Sequence, residues 1–182
     1  MTRSRSRFAL LLAGTALCIA TACASTPTQK SAGEQIDDTV LTAQVKAALI
    51  GDPVTKARSI DVEVFKGRVQ LNGFVDSAAE RSQAATVAGR VAGVSAVDNN
   101  LKLKGAERTA GAVVDDATIS GSVKAKLAED NRTKAHQINV ETRSGVVQLA
   151  GFVTSAAERS AATEIAGTVA GVKSVDNRIA LK

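Results

Sequence analysis

The 182-residue chain contains no Trp and no Tyr, and only four Phe. Any core must therefore be built from Val, Leu, Ile and Ala. Few rings remain to stack on nucleic-acid bases or to anchor a protein interface. Histidine occurs once, at His136, with no Cys–His or His–carboxylate cluster beside it, so a metal site lacks its ligands. The patterns G-x-S-x-G, G-x-G-x-x-G and Walker A do not occur. No nucleophile–base pair can be named, and the chain reads as non-catalytic and without a cofactor.

Cysteine is also scarce, at two residues, and both lie near the start of the chain. Arg3, Arg5 and Arg7 precede an apolar run from Phe8 to Ala22, "FALLLAGTALCIATA". A basic start, a short apolar segment and small residues before a cut form the pattern of a secretory signal peptide, here residues 1–22. The run, about 15 residues, is shorter than the roughly 20 needed to cross a bilayer. Cys18 would leave with the leader, and Cys23 alone would remain, which excludes a disulfide and a thiolate metal site. "IATAC" resembles the lipobox of bacterial lipoproteins. That resemblance implies a diacylglycerol thioether on Cys23 and a further acyl chain on its amine, and several chains anchor stably where one binds marginally. Without the leader's three arginines the formal +5 falls to about +2, which is no nucleic-acid footprint.

Residues 24–35, "ASTPTQKSAGEQ", are small, polar and unpatterned, and with Cys23 they read as a lipidated tether, residues 23–35. The rest of the chain is written twice. "VQLNGFVDSAAERS" at Val69–Ser82 returns as "VQLAGFVTSAAERS" at Val147–Ser160. A shift of 78 positions aligns residues 36–104 with 114–182 without a gap, roughly 38 of 69 residues being identical. Residues 105–113 form the linker.

Each copy carries the same signals. Asp37-Asp38 and Asp115-Asp116 offer an N-cap and acids for a helix start. Leu41, Val45 and Leu49, and likewise Ile119, Val123 and Leu127, recur at four-residue steps on one helix face. Ile60, Val62 and Val64, then Val69, Leu71 and Val75 after Lys66-Gly67, alternate as in a β-hairpin; the second copy turns at Ser144-Gly145. Gly73 and Gly151 fall on the buried parity of the second strand, which suggests that a helix packs closely there. Ser77-x-x-Glu80 and Ser155-x-x-Glu158 are capping boxes. The helices they open carry Ala84, Val87, Ala88 and Val91, and in the second copy Ala162, Ile165, Ala166 and Val169. Gly93 and Gly171 suit the left-handed position after a helix, whereas Gly89 and Gly167 imply close packing to offset their cost. A last strand follows, residues 96–104 in the first copy. The expected fold is α+β: two repeated αββαβ domains, each a three-stranded mixed sheet with two helices on one face.

This element order, together with V-x-L-x-G-x-V, the capped S-x-x-E helix and "VAGVxxVDN", resembles the BON domain (bacterial OsmY and nodulation). The likeness covers residues 36–182 in both copies. It implies a non-catalytic module that binds phospholipid membranes or envelope proteins. For a lipid-anchored tandem it implies a place at the outer membrane, facing the periplasm, in support of membrane integrity. The alternative it implies is a periplasmic protein-interaction or chaperone-like stress module. Ala24 and Ser25 lack the Asp after the cysteine that marks inner-membrane retention in enteric bacteria.

Two groups of residues are candidate contacts. Lys124, Lys126, Arg132 and Lys134 make the first-helix region of the second copy more basic than the first, which has Ala48 and Val54 in place of Lys126 and Arg132. They are the expected contacts to anionic phospholipid, the alternative being a solvated face diluted by Glu129 and Asp130. Phe65, Phe74 and Phe152 have the parity opposite to the core valines. They belong on the uncovered sheet face, against the other domain or an external protein, the alternative being isolated exposed rings.

Overall fold

The computed structural model of the chain describes residues 32–55, 59–105 and 109–182. The leader, Cys23 and most of the tether lie outside them. The first domain runs α1 (Ala32–Gly51), β1 (Ile60–Phe65), β2 (Arg68–Val75), α2 (Ala78–Gly89), β3 (Ala96–Asn99) and β4 (Lys102–Leu103). The second runs α3 (Ala110–Glu129), a 3-10 turn (Ala135–Gln137), β5 (Ile138–Arg143), β6 (Val146–Val153), α4 (Ala156–Gly167) and β7 (Ser174–Leu181). The architecture is α+β, αββαβ twice. In each sheet the hairpin strands pair antiparallel and the last strand pairs parallel to the second, giving β1-β2-β3 and β5-β6-β7. The third strand of the first domain is broken at Asn100-Leu101, so β3 and β4 pair separately with β2.

The core of each domain lies between its helix pair and its sheet. Leu41, Val45 and Leu49 of α1 and Ala84 and Ala88 of α2 meet Val62, Val69, Leu71 and Val75. Ile119, Val123 and Leu127 of α3 meet Val140, Val147, Leu149 and Val153 in the same way. Alanines on the second helices let backbone and sheet come close, which suits a core that has no aromatic ring.

Several local features differ from the sequence expectation. The first helices begin before the aspartate pairs, at Ala32, inside the expected tether, and at Ala110, inside the expected linker; the cap of α3 is Thr109, whose hydroxyl accepts from Ala112 N. Asp38 and Asp116 therefore lie within helices, 5% and 4% exposed, and their carboxylates reach the hairpin turns. Asp38 accepts from Lys66 N and Gly67 N at 2.8 and 3.0 Å, and Asp116 from Ser144 N and Gly145 N at 2.8 and 2.9 Å. Both residues of each turn have positive φ, the geometry of a type I′ hairpin, and its two outward N–H groups suit a carboxylate.

The capping boxes form at the hydroxyl: Ser77 Oγ accepts from Glu80 N and Ser155 Oγ from Glu158 N, both at 3.1 Å. The glutamates reach one residue further back than the box requires, to Asp76 N and Thr154 N. Gly93 and Gly171 do adopt positive φ, but in the turn after the helices end at Gly89 and Gly167. Gly89 and Gly167 are terminal helix residues; a Cβ at Gly89 would meet only Val97 Cγ2, at 3.9 Å, and one at Gly167 nothing within 4 Å, so no tight contact compensates them. At Gly73 and Gly151 the tight neighbour is backbone rather than a helix. A Cβ there would lie 2.2 Å from Ser59 O and 2.1 Å from Gln137 O, and φ is +113° and +128°.

Candidate functional site

The uncovered faces of the two sheets meet each other. On β2 the residues opposite in parity to the core valines are Gln70, Asn72 and Phe74; on β6 they are Gln148, Ala150 and Phe152. Gln70, Asn72 and Gln148 are each 1% exposed, an unusual fate for side-chain amides unless hydrogen-bonded.

The two glutamines are bonded, and reciprocally. Gln148 Oε1 accepts from Gly73 N at 2.7 Å while its Nε2 donates to Asn100 O at 2.9 Å. Gln70 Oε1 accepts from Gly151 N at 3.0 Å while its Nε2 donates to Arg178 O at 3.3 Å. The 78-residue shift carries each partner of one glutamine onto the partner of the other, the pattern of a twofold axis between the copies. The positive φ of Gly73 and Gly151 is what makes this possible. It frees each N–H from the strand ladder and offers it to the opposite domain.

Around this clamp the symmetry is broken. Phe65 stacks on Phe152, ring centroids 5.4 Å apart, with the Lys182 and Lys66 ammonium groups 5.6 and 5.9 Å from the Phe65 centroid. On the repeat-related side Arg143 stands where Phe65 would, near Phe74, at a cavity of about 270 Å³ also lined by Asp61, Lys104, Glu141 and Thr142. Burial raises the pKa of Glu141, and the charge of Asp61 and a hydrogen bond to it raise it further, against the pull of Lys124. Lys102 bridges the domains to Asp176 at 2.8 Å. Burial alone would raise Asp176, but the hydrogen bonds and charges of Lys102 and Arg178 outweigh it and hold the carboxyl low.

The basic residues of the second copy are exposed but do not form one patch. Lys124 and Lys126 are two apart on α3, roughly 200° around the helix. Lys124 faces Glu141 near the domain interface. Lys126 Nζ donates to Thr168 Oγ1 at 3.2 Å and shares a shallow corner with Arg132, Glu129, Asp130 and Glu164. Arg132 is paired with Asp130 at 2.9 Å and Glu164 at 3.1 Å. Its hydrogen bonds hold the Asp130 carboxyl below the ordinary range. Lys134 uses its backbone N–H to bind Glu158 Oε1 at 2.9 Å and leaves its side chain exposed. Among the described residues no His, Cys, Asp and Glu side chains group as a metal site, and no helix is long and apolar enough to cross a membrane.

The family model of the BON domain matches residues 37–105 and again 115–182. The chain belongs to the BON-domain family. Its relatives carry tandem-length matches as well. Osmotically-inducible protein Y of Escherichia coli is 39% identical over 82% of this chain and 75% of its own length. Outer membrane lipoprotein DolP of Haemophilus influenzae is 33% identical over 80% of this chain and 75% of its own. The 21 kDa hemolysin of Actinobacillus pleuropneumoniae matches at the same identity and coverage.

Within the BON pair, sequence reasoning found the parity of the phenylalanines but missed the two glutamines. A signal was present: the same Gln stands between core residues in "VQL" of both BON domains, where a solvent-facing position would tolerate divergence more freely. The Asp61–Glu141 approach gave no such signal, because nothing in the sequence places β1 of one domain against β5 of the other.

Proposed function

We propose that the chain is a non-catalytic lipoprotein of the bacterial envelope. Cys23 carries its lipid anchor at the outer membrane, on the periplasmic side, and its BON pair contacts anionic phospholipid and supports membrane integrity. The observation that carries this reading is how the pair uses its surfaces. Each domain closes the other's open sheet face through buried Gln70 and Gln148, which leaves helices and loops as the contact surface. A chaperone-like reading built on a free sheet face has no such face to use. The name of the Haemophilus influenzae relative, an outer membrane lipoprotein, supports the location, as does the basic, apolar and small-residue run that ends at Cys23.

Among the basic residues of the second domain, Lys126 and Lys134 are the contacts expected to matter most. Arg132 is neutralised by two carboxylates, and Lys124 faces Glu141. Each lysine near an anionic surface contributes about 1 kcal/mol. Flotation of the chain lacking residues 1–23 with phosphatidylglycerol vesicles tests this. Binding should weaken with salt and fall in the Lys126→Ala/Lys134→Ala double variant, while Lys124→Ala has little effect. Absence of binding even at low salt overturns the lipid contact in favour of a protein partner. Mass spectrometry of the mature N-terminus tests the anchor separately. The expected species begins at acylated Cys23, and an unmodified chain starting at Ala24 or later overturns it.

A further inference from the structure

The cavity at the edge of the domain interface brings together two carboxyls from different domains, Asp61 of β1 and Glu141 of β5. They are of the same sign and at hydrogen-bonding range. Two ionised carboxylates cannot hydrogen-bond to each other; one proton between them turns a repulsion into a bond. We propose that Asp61 and Glu141 form a proton-operated latch between the two BON domains, closed when the pair shares a proton and loosened when both carboxyls are ionised.

The internal repeat supplies the control. The positions related to Asp61 and Glu141 by the 78-residue shift are Asn139 and Glu63. The second side of the interface therefore has an amide where the first has an acid, and only one side holds two acids. The latch is asymmetric in a contact whose central clamp is symmetric.

The surroundings set the direction of the response. The cations near the pair are Lys124 of α3, Lys104 after β4 and Arg143 of β5. Lys104 is committed to Asp76 at 3.0 Å. Lys124 lowers the pKa of Glu141, but burial and Asp61 together prevail, and the group is raised above its ordinary value. A carboxyl whose pKa is raised on docking binds its proton more tightly in the docked state. Docking is therefore strongest below the ordinary glutamate value, and the gain is lost as pH rises through the raised value. In that window the docking equilibrium changes by up to about tenfold per pH unit. The latch rests on the domain interface alone and stands whether or not the surface binds lipid.

The test uses the chain lacking residues 1–23. Carboxyl carbon NMR follows the titration of Glu141. The expected midpoint lies above the ordinary glutamate value and returns towards it in Asp61→Asn, which gives the acidic side the composition of its repeat-related side. Hydrogen exchange at Gly73 N–H and Gly151 N–H, corrected for intrinsic rates, reads the clamp itself. Protection should fall as pH rises through the Glu141 midpoint in the wild type and stay level in Glu141→Gln. A Glu141 midpoint at or below its ordinary value, or the same pH profile of protection in wild type and Glu141→Gln, overturns the latch.

Discussion

Replacing Gln148 by Ala removes half of the interdomain clamp and strands two backbone groups. Gly73 N–H is buried, turned away from its own strand, and has Gln148 Oε1 at 2.7 Å. Left unpartnered, it costs about 1–3 kcal/mol in desolvation. Asn100 O loses a bond at 2.9 Å and is only part-buried, so water replaces some of the loss and the cost is about 0.5–1 kcal/mol. The side chain is 1% exposed, and its removal leaves a small void. The expected total is about 2–4 kcal/mol, or a fall in melting temperature of roughly 5–15 °C for a chain of this size. With no Trp or Tyr, intrinsic fluorescence is of little use, and far-UV circular dichroism in a urea series is the appropriate assay. Gln44→Ala, at an exposed position of α1, is the control and should change stability by less than about 0.5 kcal/mol. Gln70→Ala should cost somewhat less than Gln148→Ala, because its bonds are longer, 3.0 and 3.3 Å. The double variant should show coupling rather than simple addition. If Gln148→Ala and Gln44→Ala unfold at the same urea concentration, the clamp does not hold the domains together and the reasoning fails.

Gly151→Ala should destabilise by more than about 3 kcal/mol, through strain at positive φ and a collision with Gln137 O, and purified protein should show it as a large drop in melting temperature. Asp116→Ala strips two charge-assisted bonds from the Ser144-Gly145 turn and should cost about 2–4 kcal/mol in urea unfolding; a loss below about 1 kcal/mol contradicts the turn-bridging role. Asn72→Ala should be close to neutral, within about 1 kcal/mol by the same measurement. The second domain already has Ala150 there, and losing the bond that Asn72 Oδ1 accepts from Asn100 Nδ2 at 3.1 Å is offset by removing Asn72 Nδ2, buried without a partner. Ser155→Ala should cost about 1 kcal/mol, the usual value of an N-cap, and exchange at Glu158 N–H should quicken.

The elements were legible in the sequence because each carries a period of its own. Leu41, Val45 and Leu49 step by four, the spacing of a helix stripe, and Val69, Leu71 and Val75 can share a face only on a strand. The 78-residue repeat meant that each reading could be made twice. Side-chain acceptors acting at long range were not legible. Asp38 looks like a helix cap because it sits beside Asp37 near the start of an apolar stripe, yet its oxygens are used 28 and 29 residues away. Gly73 reads as a space for a helix because its parity is that of the core. Its actual role depends on φ and on a glutamine 75 residues distant, and neither leaves a periodic trace. The basic residues near α3 were legible as a cluster only along the chain. Folding separates Lys124 from Lys126 around the helix and hands Arg132 to Asp130 and Glu164.

A contact that reads alike from both halves is one that two separate copies of a half could make, but only at concentrations high enough to bring them together. Joining the halves through residues 104–109 replaces that search with a tether, and the local concentration of one half around the other becomes fixed and high, on the millimolar scale for short linkers. The pairing then no longer depends on abundance. A lone molecule is as completely assembled as one in a crowd.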